Sequence, residues 1–279
     1  MAGIERNDVR RLIAMAIEED IGGGDVTSLA IFDDSQQSRA KIIAKGKGIF
    51  CGGEMLRYVY GEIGPAVAVL RVIDDGFSVR RNDVVAELEG PTAAVLAGER
   101  IALNFLQRLC GIATATFKLV SMVEGTGITI LDTRKTLPGF RKLDKYAVTT
   151  GSGTNHRMGL YDMVMIKDNH IKAAGGISPA VARVRASYGT RYMVEVEAST
   201  AAEAREAAES GADIIMLDNM DSNTLRESIS VINGKAKIEI SGNMDEARIR
   251  EIRDCGIDYV SIGALTHSVK AFDLSMKFY

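Results

Sequence analysis

Apolar and polar positions along the chain fall into three textures. Over the first twenty residues Val9, Leu12, Ile13, Ala16 and Ile17 recur at helical spacing, and Gly22-Gly23-Gly24 stops the run. From Arg39 to Glu89 the pattern changes to short β-type runs broken by glycine: Ile42-Ile43-Ala44, Gly46–Phe50, Val67–Ile73 and Val84–Leu88. These predict a small antiparallel unit. Pro91 then opens a long helical stretch with two stripes. Ala102, Phe105, Leu106, Leu109, Ile112 and Ala113 form an apolar face, and Arg100, Asn104, Gln107 and Gly111 form a polar or small one.

After Gly127 the chain becomes rhythmic. β-rich runs occur at Ile128–Leu131, Met163–Ile166, Tyr192–Val196, Asp213–Leu217, Lys237–Ile240 and Tyr259–Ile262, most of them separated by helical segments such as Ala201–Ser210 and Asp245–Cys255. The last four runs start 21, 24 and 22 residues apart (192, 213, 237, 259), a βα period suited to a compact barrel. Six strands are clear, and Tyr146–Thr150 is the candidate for a seventh. The reading is an incomplete or atypical barrel, with an open parallel sheet as the alternative.

Composition narrows the class without naming an activity. The chain has 279 residues, 46% of them apolar and 25% charged, as a well-cored α/β protein requires. A net charge of −3 argues against general binding to nucleic acid or acidic membranes. Cys51, Cys110 and Cys255 are odd in number and widely spaced, which predicts no disulfide framework or zinc site and suits the cytoplasm. No apolar run approaches the ~20 residues of a membrane span.

Each β run of the second half ends in polar residues: Asp132-Thr133-Arg134-Lys135, Lys167-Asp168-Asn169-His170, Glu195 and Glu197, Asp218-Asn219, Ser241-Gly242-Asn243, and Ser261 with Gly263. One such exit is ordinarily a solvated loop, but six in succession converge on one face of a parallel barrel. Arg134, Lys135, Arg157 and Lys167, with His156, predict a pocket for a polyanion. Glu197 and Asp218 suit a hard divalent ion such as Mg²⁺. Glu195 shares the strand face of Glu197 but lies further from the functional end. Ser241, Gly242 and Gly263, followed by a helix start at Ala264–Ser268, predict a phosphate site. A carboxylated substrate and a phosphorylated partner fit this set.

Several segments together carry a family resemblance. They are Glu99-Arg100-x-Ala102-Leu103-Asn104, Asp132-Thr133-Arg134-Lys135-Thr136-x-Pro138-Gly139-x-Arg141, Lys145-Tyr146-Ala147-Val148, Asn155-His156-Arg157, Lys167-Asp168-Asn169-His170, Leu217-Asp218-Asn219 and Leu265-Thr266-His267-Ser268. The chain resembles the quinolinate phosphoribosyltransferases from the Glu19-Asp20 region to His267. The resemblance implies an N-terminal α/β sandwich domain over residues 1–104, with 266–279 packing on it. It also implies an atypical, about seven-stranded parallel α/β barrel domain over 105–265, in a homodimer open to further assembly. Its reaction would join quinolinate to 5-phosphoribosyl-1-pyrophosphate with Mg²⁺, giving nicotinate mononucleotide, CO₂ and pyrophosphate. Arg134, His156, Arg157 and Lys167 would hold quinolinate, joined by Arg100 from the partner subunit. Lys135, Glu197 and Asp218 would act on the donor and its metal, and Ser241, Gly242, Gly263 and His267 would meet the 5-phosphate.

Two positions depart from the family pattern. Gly151-Ser152-Gly153 replaces a glycine run, where serine is expected to cost little. Ser241-Gly242-Asn243 replaces Ser-Gly-Gly, where asparagine tolerates positive φ. Other signals read as structural. Val72–Gly76 reads as a hairpin, Gly22–Asp25 as a helix stop with a capping aspartate, Met163 and Met165 as core, and His170 as a hydrogen-bonding residue. Competing functions are a paralogue of the molybdenum-operon type with another acceptor, a Schiff-base aldolase using Lys167, and a noncatalytic binding protein.

Overall fold

A computed structural model describes residues 4–33, 35–64 and 66–279. In chain order the first elements are α1 (Arg6–Asp20), α2 (Val26–Ile31), β1 (Gln37–Ala44), β2 (Gly48–Ile49), α3 (Gly53–Ile63), β3 (Ala68–Val72), β4 (Ser78–Val79), β5 (Val84–Pro91) and α4 (Thr92–Met122). Then follow β6 (Thr129–Leu131), α5 (Arg141–Thr150), β7 (Val164–Ile166), α6 (Asp168–Ala174), α7 (Ile177–Tyr188), β8 (Val194–Ala198) and α8 (Ala201–Glu209). The chain closes with β9 (Ile214–Asp218), α9 (Ser222–Ile232), β10 (Lys237–Ser241), α10 (Glu246–Ile252), β11 (Tyr259–Ser261), α11 (Ala264–His267) and β12 (Leu274–Phe278). Among the described residues no helix is long and apolar enough to cross a membrane.

The chain divides into two compact units. One runs up to Phe117 and adds Thr136–Ser152 and Leu265–Tyr279; the other comprises Lys118–Lys135 and Gly153–Ala264. Position 104 lies inside the unbroken helix α4.

The first unit is built on an antiparallel sheet in the order β12-β1-β5-β3. The expected N-terminal helix forms, and Asp25 caps the next one by accepting the backbone N–H groups of Thr27 and Ser28. Helix α3 lies inside the stretch read as β-type. Its apolar positions Met55, Leu56, Val59 and Tyr60 recur at helical spacing and are buried. The segment Val72–Gly76 is not a hairpin, because β3 pairs with β5 while β4 pairs with β2. Its aspartate has other work: Asp75 Oδ1 accepts the N–H groups of Gly52 and Gly53 at 2.9 Å each, capping α3, and Oδ2 accepts the Tyr146 hydroxyl. Tyr146 itself sits in α5, so Tyr146–Thr150 is helix rather than a seventh strand. The apolar residues of that run, Ala147 and Val148, are adjacent rather than alternating, and they complete a helical face with Leu143.

The second unit holds a parallel sheet of six strands in the order β6-β11-β10-β9-β8-β7. Beyond β6 a single parallel bridge joins Leu131 to Thr154. This one-residue contact is all that stands in the position of a seventh strand among the described residues.

The two faces of this sheet differ in chemistry. Val194, Val196, Ile215, Leu217, Ile238, Ile240 and Val260 are buried on one face, and α7 and α8 pack against β7, β8 and β9. The alternate positions carry Met165, Glu195, Glu197, Met216, Asp218, Glu239, Ser241 and Ser261. Parallel strands covered on both sides are ordinarily apolar throughout, so a polar inner face marks where the chemistry lies.

Candidate functional site

A cavity of about 370 Å³ opens on that polar face, within the range of small-molecule sites. Nine of the twelve expected site residues line it: Arg134, Lys135, His156, Arg157, Lys167, Glu197, Asp218, Ser241 and Gly242. Gly263 follows β11 without lining the cavity, and Ser261 takes that strand's place in the wall. Arg100 and His267 belong to the first unit. Arg100 is exposed on α4, and His267 Nδ1 lies 2.7 Å from the hydroxyl of Ser268.

Local geometry explains how the cations are placed. After β6 the Thr133 hydroxyl accepts the Lys135 N–H at 3.1 Å, folding the turn that carries Arg134 and Lys135. Buried Asp132 accepts the His156 N–H at 2.9 Å and so ties the Asn155–Arg157 loop to the end of β6. The Arg157 guanidinium donates to the Met163 carbonyl at 3.2 Å and the Met165 sulfur at 3.4 Å. Burial, and then the neighbouring charge of Arg134, lower the Arg157 pKa. That mutual repulsion is the mark of a wall prepared for an anion. Met163 and Met165, expected in the core, are half-buried, and Met165 lines the cavity. His170 keeps its structural role, its Nδ1 accepting the Lys167 N–H at 3.0 Å.

Beyond β7, Lys167 Nζ donates to Glu197 Oε2 at 2.6 Å. Asp218 Oδ2 accepts from Asn219 Nδ2 at 2.7 Å, and Asn219 Oδ1 accepts from Asn243 Nδ2 at 3.2 Å. Two carboxylates beside an open cavity are a donor set that fits Mg²⁺, whose remaining positions go to substrate oxygens. The turn after β10 forms with Gly242 at φ 91° and Asn243 at φ 46°, so asparagine takes the left-handed conformation expected of it. A Cβ at Gly242 would run into the Asn219 amide. Ser152 stands at φ 67°, where serine carries strain of about 1–2 kcal/mol. Serine there is therefore not cheap.

Below the cavity His156, Glu195 and Glu239 form a buried cluster. His156 Nε2 lies 3.1 Å from Glu195 Oε2 and 3.5 Å from Glu239 Oε2. Burial would lower the His156 pKa, but the two carboxylates outweigh it and raise the value to about 9. The Arg157 N–H points at His156 Nδ1 from 2.7 Å, which requires a lone pair there. These two influences oppose each other. The short amide contact decides for a singly protonated ring, with its proton on Nε2 between the carboxylates. Burial pushes the Glu195 carboxyl upward.

Sequence reading assigned no role to Glu239 or Met216, and it named Asn219, Asn243 and Ser261 as polar strand exits without a ligand. The period of two would have found both Glu239 and Met216, because Glu239 lies two residues before Ser241 and Met216 two before Asp218.

A polar-faced parallel α/β sheet that gathers four cations (Arg134, Lys135, Arg157, Lys167) and two acids at its strand ends defines a site for joining anionic substrates. Comparison with known proteins gives the particular family. Residues 25–110 match the N-terminal domain of quinolinate phosphoribosyl transferase and residues 112–277 match its C-terminal domain. A probable carboxylating nicotinate-nucleotide pyrophosphorylase of Bacillus subtilis is 43% identical over 96% of this chain and 92% of its own. The solved structure of NadC from Streptococcus pyogenes superposes with a TM-score of 0.94 at 40% identity, covering 99% of this chain and 98% of that one. The nicotinate-nucleotide pyrophosphorylase of Francisella tularensis gives 0.94 at 38% identity, with the same coverage. The chain belongs to the quinolinate phosphoribosyltransferase family.

Proposed function

We propose that the cavity binds quinolinate and 5-phosphoribosyl-1-pyrophosphate together and forms nicotinate mononucleotide, CO₂ and pyrophosphate. The observation that carries this reading is the meeting of four cations and two carboxylates in one cavity. Arg134, Arg157 and Lys167 hold the substrate carboxylates, where arginine's planar fork suits paired oxygens. Ser241 and Gly242 meet the 5-phosphate. Glu197 and Asp218 hold Mg²⁺, which when bound supplies charge neutralisation for the pyrophosphate.

The bond from the anomeric carbon to pyrophosphate breaks as the ring nitrogen bonds to that carbon, and Lys135 stabilises the departing charge. Alignment of the two reactants alone can lower the barrier by about 7–11 kcal/mol. Once alkylated, the ring accepts the electron pair left when the adjacent carboxylate departs as CO₂, and a proton then replaces it. Arg100, exposed on α4, completes the quinolinate site of the partner subunit in a homodimer. The free thiols of Cys51, Cys110 and Cys255 suit a reducing cytoplasm. A Schiff-base role for Lys167 is disfavoured because its amine already donates to Glu197.

Incubating the protein with quinolinate, phosphoribosyl pyrophosphate and Mg²⁺ tests the reading. CO₂ and pyrophosphate should appear in equal amounts. Pyrophosphate release only with another acceptor, and without CO₂, would assign a paralogous reaction. Binding without turnover would make this a binding protein.

A further inference from the structure

Glu195 and Glu239 are fully buried on the inner face of the sheet, two residues before Glu197 and Ser241 on their strands. Among the described residues no group reaches their carboxylate oxygens with hydrogen-bond geometry, so what holds them is charge at ion-pair distance. Their close polar neighbour is His156 Nε2, at 3.1 and 3.5 Å. Buried carboxylates are costly, and these two lie beneath a wall that must attract anions, so their retention calls for a purpose.

The ring they flank supplies one. His156 Nδ1 accepts the Arg157 N–H at 2.7 Å, and the His156 N–H donates to Asp132 at 2.9 Å. Both ring nitrogens therefore face protein rather than the cavity. We propose that Glu195 and Glu239 are positioning residues that clamp the His156 imidazole. The clamped ring in turn holds the backbone of Arg157 toward the carboxylated substrate. This rests on the reading of the cavity as a quinolinate site.

The sign of one substitution separates positioning from simple electrostatics. Glu239→Gln removes a negative charge from beneath the cationic wall, so electrostatics alone would tighten quinolinate binding. Positioning gives the opposite: the KM for quinolinate rises about tenfold, equivalent to about 1.4 kcal/mol, while the KM for phosphoribosyl pyrophosphate and the melting temperature hold. Tighter binding, or a lower melting temperature with both KM values unchanged, would overturn the proposal. Glu195→Gln is the parallel variant should Glu239→Gln fail to fold.

Nitrogen-15 spectra of the imidazoles give a second readout on the wild-type protein, whose three histidines keep assignment simple. His156 should carry its proton on Nε2 with and without saturating quinolinate. A change of protonated nitrogen on adding quinolinate would mean that the ring is not clamped and end the proposal. If the wild type fails to turn over quinolinate, the functional reading falls, while the spectrum of the unliganded protein still decides whether the clamp exists.

Discussion

Lys167 and Glu197 form an ion pair 2.6 Å long across the neighbouring strands β7 and β8, at the edge of the cavity. Each was expected to face a different ligand, the lysine a carboxylate and the glutamate a metal. Pairing holds both side chains in place at the edge of the cavity. Lys167→Ala should raise the KM for quinolinate, and Glu197→Gln should lower turnover with the donor, each by on the order of 10–100-fold. Steady-state kinetics of the double variant should show an effect well short of the product of the two, because the side chains are coupled.

Arg134 tests the anion wall directly. Arg134→Ala should raise the KM for quinolinate by roughly 10–100-fold, the worth of a charge-assisted hydrogen bond. Arg134→Lys should recover only part of it, since an ammonium cannot make the two-pronged contact. Unchanged affinity in the alanine variant would remove Arg134 from the site.

Gly242→Ala should weaken donor binding and cost about 1–3 kcal/mol of stability, because the residue sits at φ 91° and its new methyl group meets Asn219. Ser152→Gly should act in the other direction, raising the melting temperature by relieving positive φ at serine. Calorimetry on the two variants checks both signs.

Burial holds the Cys110 thiol up at about 12 and pushes Cys51 well above its ordinary range, while Cys255 is partly exposed. At pH 8 an alkylating reagent should modify Cys255 alone in the native protein, as mass spectrometry would show. The linkage has a definite sign. A thiol whose folded pKa is raised favours the folded state below its unfolded pKa of about 8.5, and that contribution is lost as pH rises toward the folded value. Stability should therefore fall on the alkaline side, and Cys110→Ser should make the fall shallower.

Much of the site was legible because its side chains announce their chemistry at strand ends. Arg134, Lys167, Glu197 and Asp218 each follow or close a short β-branched run, and the βα rhythm alone puts those ends on one rim. What stayed hidden was of two kinds. Helix α3 was masked by the glycines around it, and the segment after β3 looked like a hairpin because local turn chemistry says nothing about which strand a neighbour pairs with. The deeper residues were hidden differently. Glu195 reads as a duplicate of Glu197, and Glu239 gives no signal of its own, until the third partner, His156, arrives from a loop far along the chain. Ser152 was misjudged because a backbone angle has no signature in composition.

The contrast between the two faces of the six-stranded sheet bears on how this unit can be improved. Water-averse contact is concentrated behind the strands, at positions such as Val196, Ile215 and Ile240, so thermostabilising libraries should be directed there. Substitutions on the reverse side would be read out as altered selectivity first and as heat resistance hardly at all, which makes that side the natural place to retune which acceptor the protein will take.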